Sequence, residues 1–117
     1  FNMYHLIGLE LGISVANVGL RGESTGVSRE FRADVVAVAK KNLKVGEVLD
    51  GEGGYCVAGQ LRPSNISVPM RALPLGLTGE ARMIKDVSKD TILTYADVQI
   101  DEKLPAFKLR KECETMI

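Results

Sequence analysis

The sequence predicts a mainly β unit of short strands, built as two pseudo-symmetric hairpins and preceded by one N-terminal helix. Three observations carry that expectation. KKNLKVGEVLD at Lys40 to Asp50 nearly repeats as IKDVSKDTILT at Ile84 to Thr94. Short β-branched runs elsewhere are punctuated by Gly, Pro and Asp. The first part of the chain is apolar at helical rather than alternating spacing. With 117 residues the chain suits one domain with a modest core, burying roughly two-thirds of its unfolded surface.

The helix is expected over Met3 to Leu20. Glu10, Ser14 and Asn17 form a narrow polar stripe on it at i, i+4 and i+7. Tyr4, Ile7, Leu11, Val15 and Val18 form one apolar flank, and Leu6, Leu9, Ile13, Ala16 and Leu20 form another. Gly8, Gly12 and Gly19 lie between the flanks, weakening the helix but allowing close approach of another backbone. A helix apolar on most of its circumference is normally covered on more than one side. A lone small β domain can cover one, so a neighbour is expected: the rest of a longer polypeptide or a second subunit. The alternative for this stretch is a strand-rich or irregular segment.

Arg21 to Arg29, rich in Gly, Ser, Thr and charge, reads as a surface loop. Phe31 to Lys40 then reads as a buried strand, and the first repeat follows. In each repeat a basic and a polar residue (Lys41-Asn42, Lys85-Asp86) precede an apolar position (Leu43, Val87). A turn (Val45-Gly46, Lys89-Asp90) and an apolar pair (Val48-Leu49, Ile92-Leu93) complete it. Gly and Asp tolerate the positive φ of tight turns. DGEGGY at Asp50 to Tyr55 lacks the Lys-Ser/Thr pair and helix start of a phosphate loop, so a glycine-rich turn is expected. Tyr55 to Leu61 reads as a further strand, Pro63 to Pro69 as a polar connection, and Met70 to Leu73 as a short extended segment. Tyr95 to Val98 reads as a helical turn capped by Thr94, running into a last strand at Val98 to Ile100. The tail from Phe107 is charged and helix-prone, and is expected to be a solvated helix or frayed end.

Charge and cysteine content exclude several function classes. Fifteen basic and fifteen acidic residues leave a formal net charge of zero, so no field steers the chain toward nucleic acid or anionic lipid. Cys56 and Cys113 match no metal spacing and are expected as reduced thiols of a cytoplasmic protein. The apolar start lacks a basic n-region, and Glu10 interrupts it, which argues against a signal peptide. A start at Phe1 rather than Met suits a piece of a longer polypeptide. His5 is the sole histidine, so neither a Ser-His-Asp triad nor a two-histidine metal site is expected. Cys56 reads as a core side chain, and Tyr55 and Tyr95 as hydroxyls at a groove edge or as core. Arg62 and Arg71, flanking the Pro-Ser-Asn connection, are the candidate clamp for a carboxylate or phosphate, the alternative being ordinary loop charges.

With those residues placed, Val35 to Asp101 resembles a SAF domain, the family named for sialic acid synthases, antifreeze proteins and flagellar assembly proteins. The resemblance rests on VVAVAKKNLKVGEVLDGEGGY, LPLGLTGEARMIKDVSKDTILTYADVQID and the closing Thr94-Tyr95-Ala96-Asp97-Val98. It implies the β-clip fold, short strands in a twisted, pseudo-symmetric arrangement. YHLIGLELGISVA at Tyr4 to Ala16, together with DGEGGY, is similar to the C-terminal part of NAD(P)-dependent oxidoreductases of the homoserine-dehydrogenase-like group. Some members of that group act as an alternative deoxyxylulose phosphate reductoisomerase.

That second resemblance implies three parts: residues 1–30 from the catalytic region of a longer parent, a SAF-like domain over 31–102, and a charged tail over 103–117. It also implies NAD or NADP in the parent, bound by a Rossmann domain. This chain has no strand-GxGxxG-helix of its own. In such a parent His5 is a candidate base or substrate contact and Glu10 a candidate substrate contact, against the plainer roles of a helix-end imidazole and a solvated carboxylate. The expected function is a non-catalytic accessory domain acting through packing, orientation and subunit contacts within a homo-oligomer. The alternative is a stand-alone sugar-acid or carbohydrate-binding module carried by Arg62 and Arg71.

Overall fold

In the computed structural model, which describes residues 4–27 and 29–116, a helical N-terminal arm leads into a strand-rich unit that a C-terminal helix closes. The arm is helix α1 (Ile7–Ala16), continued by a π-helical turn (Asn17–Arg21) that ends at Gly22 with φ 65°. Strands β1 (Ala33–Ala39), β2 (Val48–Asp50) and β3 (Val57–Pro63) follow. Next come a one-turn helix α2 (Ser64–Ser67), a 3-10 turn (Leu75–Leu77) and β4 (Gly79–Met83). A second 3-10 turn (Tyr95–Asp97), β5 (Val98–Gln99) and helix α3 (Pro105–Glu114) complete the chain. The strands make two antiparallel sheets, β1-β3 and β2-β4-β5. The content is therefore mixed, with helix at both ends of a β centre.

The near-repeat is a structural two-fold, but its copies are not the expected hairpins: Leu43 bridges to Val87 and β2 pairs with β4, so the arms of each copy pair outside it and not with each other. An offset of 44 residues carries Asn42 to Asp86 and Val45 to Lys89. The Val45 N–H donates to Asp86 Oδ1 at 2.8 Å, and the Lys89 N–H donates to Asn42 Oδ1 at 2.9 Å. Each turn is thus held by a polar side chain from the other. Leu43 and Val87 exchange backbone hydrogen bonds with each other at 2.8 and 3.0 Å, which places the axis between them. The relation extends outward: Ala39 N–H to Thr91 O (2.9 Å) matches Met83 N–H to Glu47 O (2.8 Å), and Asp90 N–H to Ala39 O matches Gly46 N–H to Met83 O, both 2.8 Å. Gly46 and Asp90 occupy the equivalent left-handed corners at φ 85° and 65°, where only glycine and short polar side chains fit at low cost.

The core follows the same pairing. Leu43 and Val87, Leu49 and Leu93, Ala37 and Ala81, and Ala39 and Met83 are all buried and share one cluster. Each fully buried aliphatic side chain contributes about 1.5–3 kcal/mol, so the axis concentrates stability where the repeats cross. The symmetry ends at the loops. Asp50 to Cys56 spans the glycine-rich turn, whereas Thr94 to Asp97 spans one 3-10 turn closed by a reciprocal capping box. In the first, the Asp50 carboxylate accepts the N–H groups of Tyr55 (2.5 Å) and Cys56 (3.0 Å). In the second, the Asp97 carboxylate accepts the N–H and hydroxyl of Thr94 at 2.9 and 2.6 Å.

Several expectations are corrected. The expected helix start at Met3 lies outside the described residues; within them α1 proper is shorter, and the π turn carries it to Arg21. The Pro63 to Pro69 connection holds α2, whose buried Ser67 hydroxyl donates to Asp34 Oδ2 at 2.7 Å. The tail is a helix, mostly solvated as expected, but one face of it is docked and its end is not frayed. Arg110 on α3 forms a bidentate pair with Asp34 on β1 at 2.8 and 2.6 Å, the two side chains only 12% and 4% exposed. Phe31 covers the Arg110 guanidinium at 4.8 Å. Burial pushes the Asp34 carboxyl up, but the hydrogen bonds from Arg110 and Ser67 outweigh it and leave the group below its ordinary value.

Candidate functional site

Docking of α3 creates a partly open cavity that holds a sequence-predicted site residue. Arg71, Tyr95, Val98, Ile100, Glu102, Phe107 and Lys111 line a cavity of about 150 Å³, the room of roughly five liquid waters. Arg71 reaches it from the turn after α2, with its backbone held at φ 53°. Its N–H donates to Val68 O (2.9 Å) and its carbonyl accepts the Tyr95 N–H (3.0 Å). A non-glycine residue in this region stores strain that its surroundings must hold in place, and these two bonds do so.

Tyr95 forms the opposite wall. Its ring meets Phe107 edge-on at 6.0 Å, and the Lys111 ammonium sits 3.8 Å from its centroid. The Tyr95 hydroxyl donates to Glu114 Oε1 at 3.0 Å. Burial, then the charge of Glu114, push the phenol far above its ordinary value, so it serves as a fixed donor and not as a base. Lys111 and Arg110 both bind Glu114, at 2.8 and 2.9 Å. Among the described residues nothing hydrogen-bonds the Arg71 guanidinium. The cavity therefore offers one uncommitted planar cation, a committed ammonium and the Glu102 carboxylate, which suits recognition of a small anion bearing hydroxyls.

The other candidates lie apart from it. Arg62 on β3 does not line the cavity; its Nη2 donates to Gln60 Oε1 at 3.1 Å, and its Nε is buried without a partner. The expected Arg62 and Arg71 clamp is not assembled around that space. His5 and Glu10 meet on the arm, Nδ1 to Oε2 at 3.3 Å, in an exposed pair. Tyr55 is 86% exposed at the tip of the glycine-rich loop. Cys56 is buried, its Sγ 3.7 Å from Glu47 Oε1, and burial followed by the Asp50 carboxylate raises its thiol, the reverse of nucleophile activation. Cys113 is exposed on α3. Among the described residues no group of three His, Cys, Asp or Glu side chains is placed to hold a metal ion, and no helix is long and apolar enough to cross a membrane.

Sequence reasoning missed Asp34, Arg110 and Lys111. One signal was present: a lone Asp inside the apolar run of β1 is expensive to bury without a partner. Phe107, Arg110, Lys111 and Glu114 also share a helical face by their spacing. A comparison with protein-family models finds no match, and a comparison with curated proteins finds none either.

Proposed function

We propose that this chain is a SAF-like β-clip accessory domain at the C-terminal end of an NAD(P)-dependent oxidoreductase of the homoserine-dehydrogenase-like group, and that it acts by packing, orientation and subunit contacts. The observation that carries the reading is the state of the arm. Ile7, Leu9, Leu11, Ile13, Val15, Val18 and Leu20 are each more than 60% exposed, and no residue of α1 is buried. So much aliphatic surface in one arm is a mark of an interaction face. The catalytic region of the parent is the occupant, and α1 is the element it shares with this unit. The two repeats paired across their two-fold and the Thr94-Asp97 capping box support the β-clip assignment. Hydride transfer, with NAD or NADP, belongs to the parent's dinucleotide-binding part, and the free thiols suit a cytoplasmic setting. The test is to assay the chain alone and joined to its upstream catalytic region. Alone it binds no nicotinamide dinucleotide and exposes α1 to an apolar dye; joined, the dye signal falls. Dinucleotide binding or turnover by the chain alone would refute the reading.

A second reading is favoured by Arg71 and its cavity: a binding module for small sugar acids. Calorimetry against aldonic acids then gives saturable heat that Arg71→Ala abolishes and Arg62→Ala leaves intact. No heat across the panel removes this reading.

A further inference from the structure

Among the described residues the outer edge of β3 is open along its length. β3 pairs only with β1, in the register Asp34 to Arg62, Val36 to Gln60 and Val38 to Ala58. At the two ends of that ladder the Ser64 N–H donates to Arg32 O (3.0 Å) and the Lys40 N–H to Cys56 O (2.9 Å). By the alternation of antiparallel pairing, even-numbered residues of β3 bond toward β1. Gly59 and Leu61 therefore turn their N–H and C=O groups outward. The alternation is visible on β1 itself, where Ala37 and Ala39 bond away from β3, to Leu73 and Thr91. Ala58, Gly59, Gln60 and Leu61 are all exposed. β3 carries no bulge and no lysine, and its guards, Arg62 and Pro63, stand together at its end.

We infer that β3 is a dimer seam, pairing antiparallel with β3 of a second copy of this chain about a two-fold axis at Gln60. In that register Gly59 faces Leu61 of the second copy and Leu61 faces its Gly59, giving four backbone hydrogen bonds. The side chains fit it. A Cβ at Gly59 would stand 2.7 Å from Val35 Cγ1 and 2.9 Å from Leu75 Cδ2, so those apolar groups already lie over the glycine. Leu61, 71% exposed in the single chain, comes to rest against them across the seam. Gln60 meets its own copy, and two amides can hydrogen-bond each other. An isologous contact needs such self-complementarity. Edge pairing alone buries less than a standard interface of about 800 Å² per partner, so the dimer is concentration-dependent. The inference rests on the subunit-contact part of the proposed function but not on α1.

The test is site-specific crosslinking of the full chain carrying Cys113→Ser. Gln60 and its copy form a pair whose Cα atoms are about 4.5 Å apart, within disulfide range. Ala58 and its copy lie four residues out of step, about 13 Å apart. Under mild oxidation the Q60C chain should give a disulfide-linked dimer at least about tenfold faster than the A58C chain. Adding Leu61→Pro removes one outward N–H per chain, which an edge strand tolerates, and should slow Q60C crosslinking by about tenfold. Equal rates from Q60C and A58C overturn the seam, and so does indifference to Leu61→Pro. Association driven by α1 produces equal rates, so failure of the seam and failure of the proposed function are distinguishable.

Discussion

The repeat unit and the N-terminal arm are both rich in aliphatic side chains, yet they place them oppositely. In the unit, Leu43, Leu49, Leu73 and Leu93 are each 1% exposed or less. In the arm, Leu9, Leu11 and Leu20 are 69%, 61% and 87% exposed. The unit succeeds because each repeat supplies the other's cover, through paired core residues and turns that cap one another. The arm has no such complement within the described chain. Apolar content alone therefore does not make a core; a second surface in register with it does.

The largest effect that sharpens this comparison lies at the α3 junction. Arg110→Ala leaves Asp34 buried and unpaired, and should cost about 3–5 kcal/mol in urea unfolding. Replacing both partners, Asp34→Leu with Arg110→Met, should recover most of that loss. Next, Leu49→Ala and Leu93→Ala should each cost about 2–5 kcal/mol, and by similar amounts because the two-fold makes them equivalent. Leu9→Ala on the arm should cost under about 0.5 kcal/mol in the isolated chain. A loss at Leu9 as large as at Leu49 would erase the distinction between the two regions.

Acid titration gives a smaller, graded effect. The Asp34 carboxyl is held below its ordinary value by Arg110 and Ser67 despite burial, and Asp50 is held at about 2 by the N–H groups of Tyr55 and Cys56. Groups with a depressed folded pKa stabilise fully above their unfolded value near 3.9, and that stability drains as pH falls toward the folded value. The urea midpoint should therefore be level above about pH 5 and fall steadily toward pH 2. Asp34→Asn, made together with Arg110→Met, should flatten part of that fall. The smallest effects belong to the turns. Asn42→Ala and Asp86→Ala should each lower the midpoint slightly, Asp86→Ala more, because Asp86 also pairs with Lys44 at 2.7 Å.

Much of this fold was legible before the structure. The two turns, the Thr94 cap, the glycine-rich loop and the strands at Val48 and Val98 all follow from local residue chemistry, which is where sequence patterns speak clearly. That Asn42 and Asp86 cap each other's turns was not read from the repeat, although their equivalent positions carried the information. The docking of α3 was hidden because Asp34 and Arg110 lie 76 residues apart, and a charged helix reads as solvated until its partner is known. Of the candidate site, Arg71 reached a cavity and Arg62 did not. Both flank the same prolines, but β3 directs Arg62 along the sheet while the left-handed turn at Arg71 aims it under α3. Local sequence carries no signal for that divergence.

Hydrogen exchange across residues 7–21 tests the central claim most directly, comparing the chain by itself with the chain joined to the upstream catalytic region that we propose for it. The account predicts rapid exchange of α1 amides in the isolated chain, against slow exchange at Leu43, Leu49 and Leu93, and strong protection of α1 once the catalytic region is present. Amides of α1 as protected as the repeat core in the isolated monomer, or still unprotected in the joined protein, would contradict it.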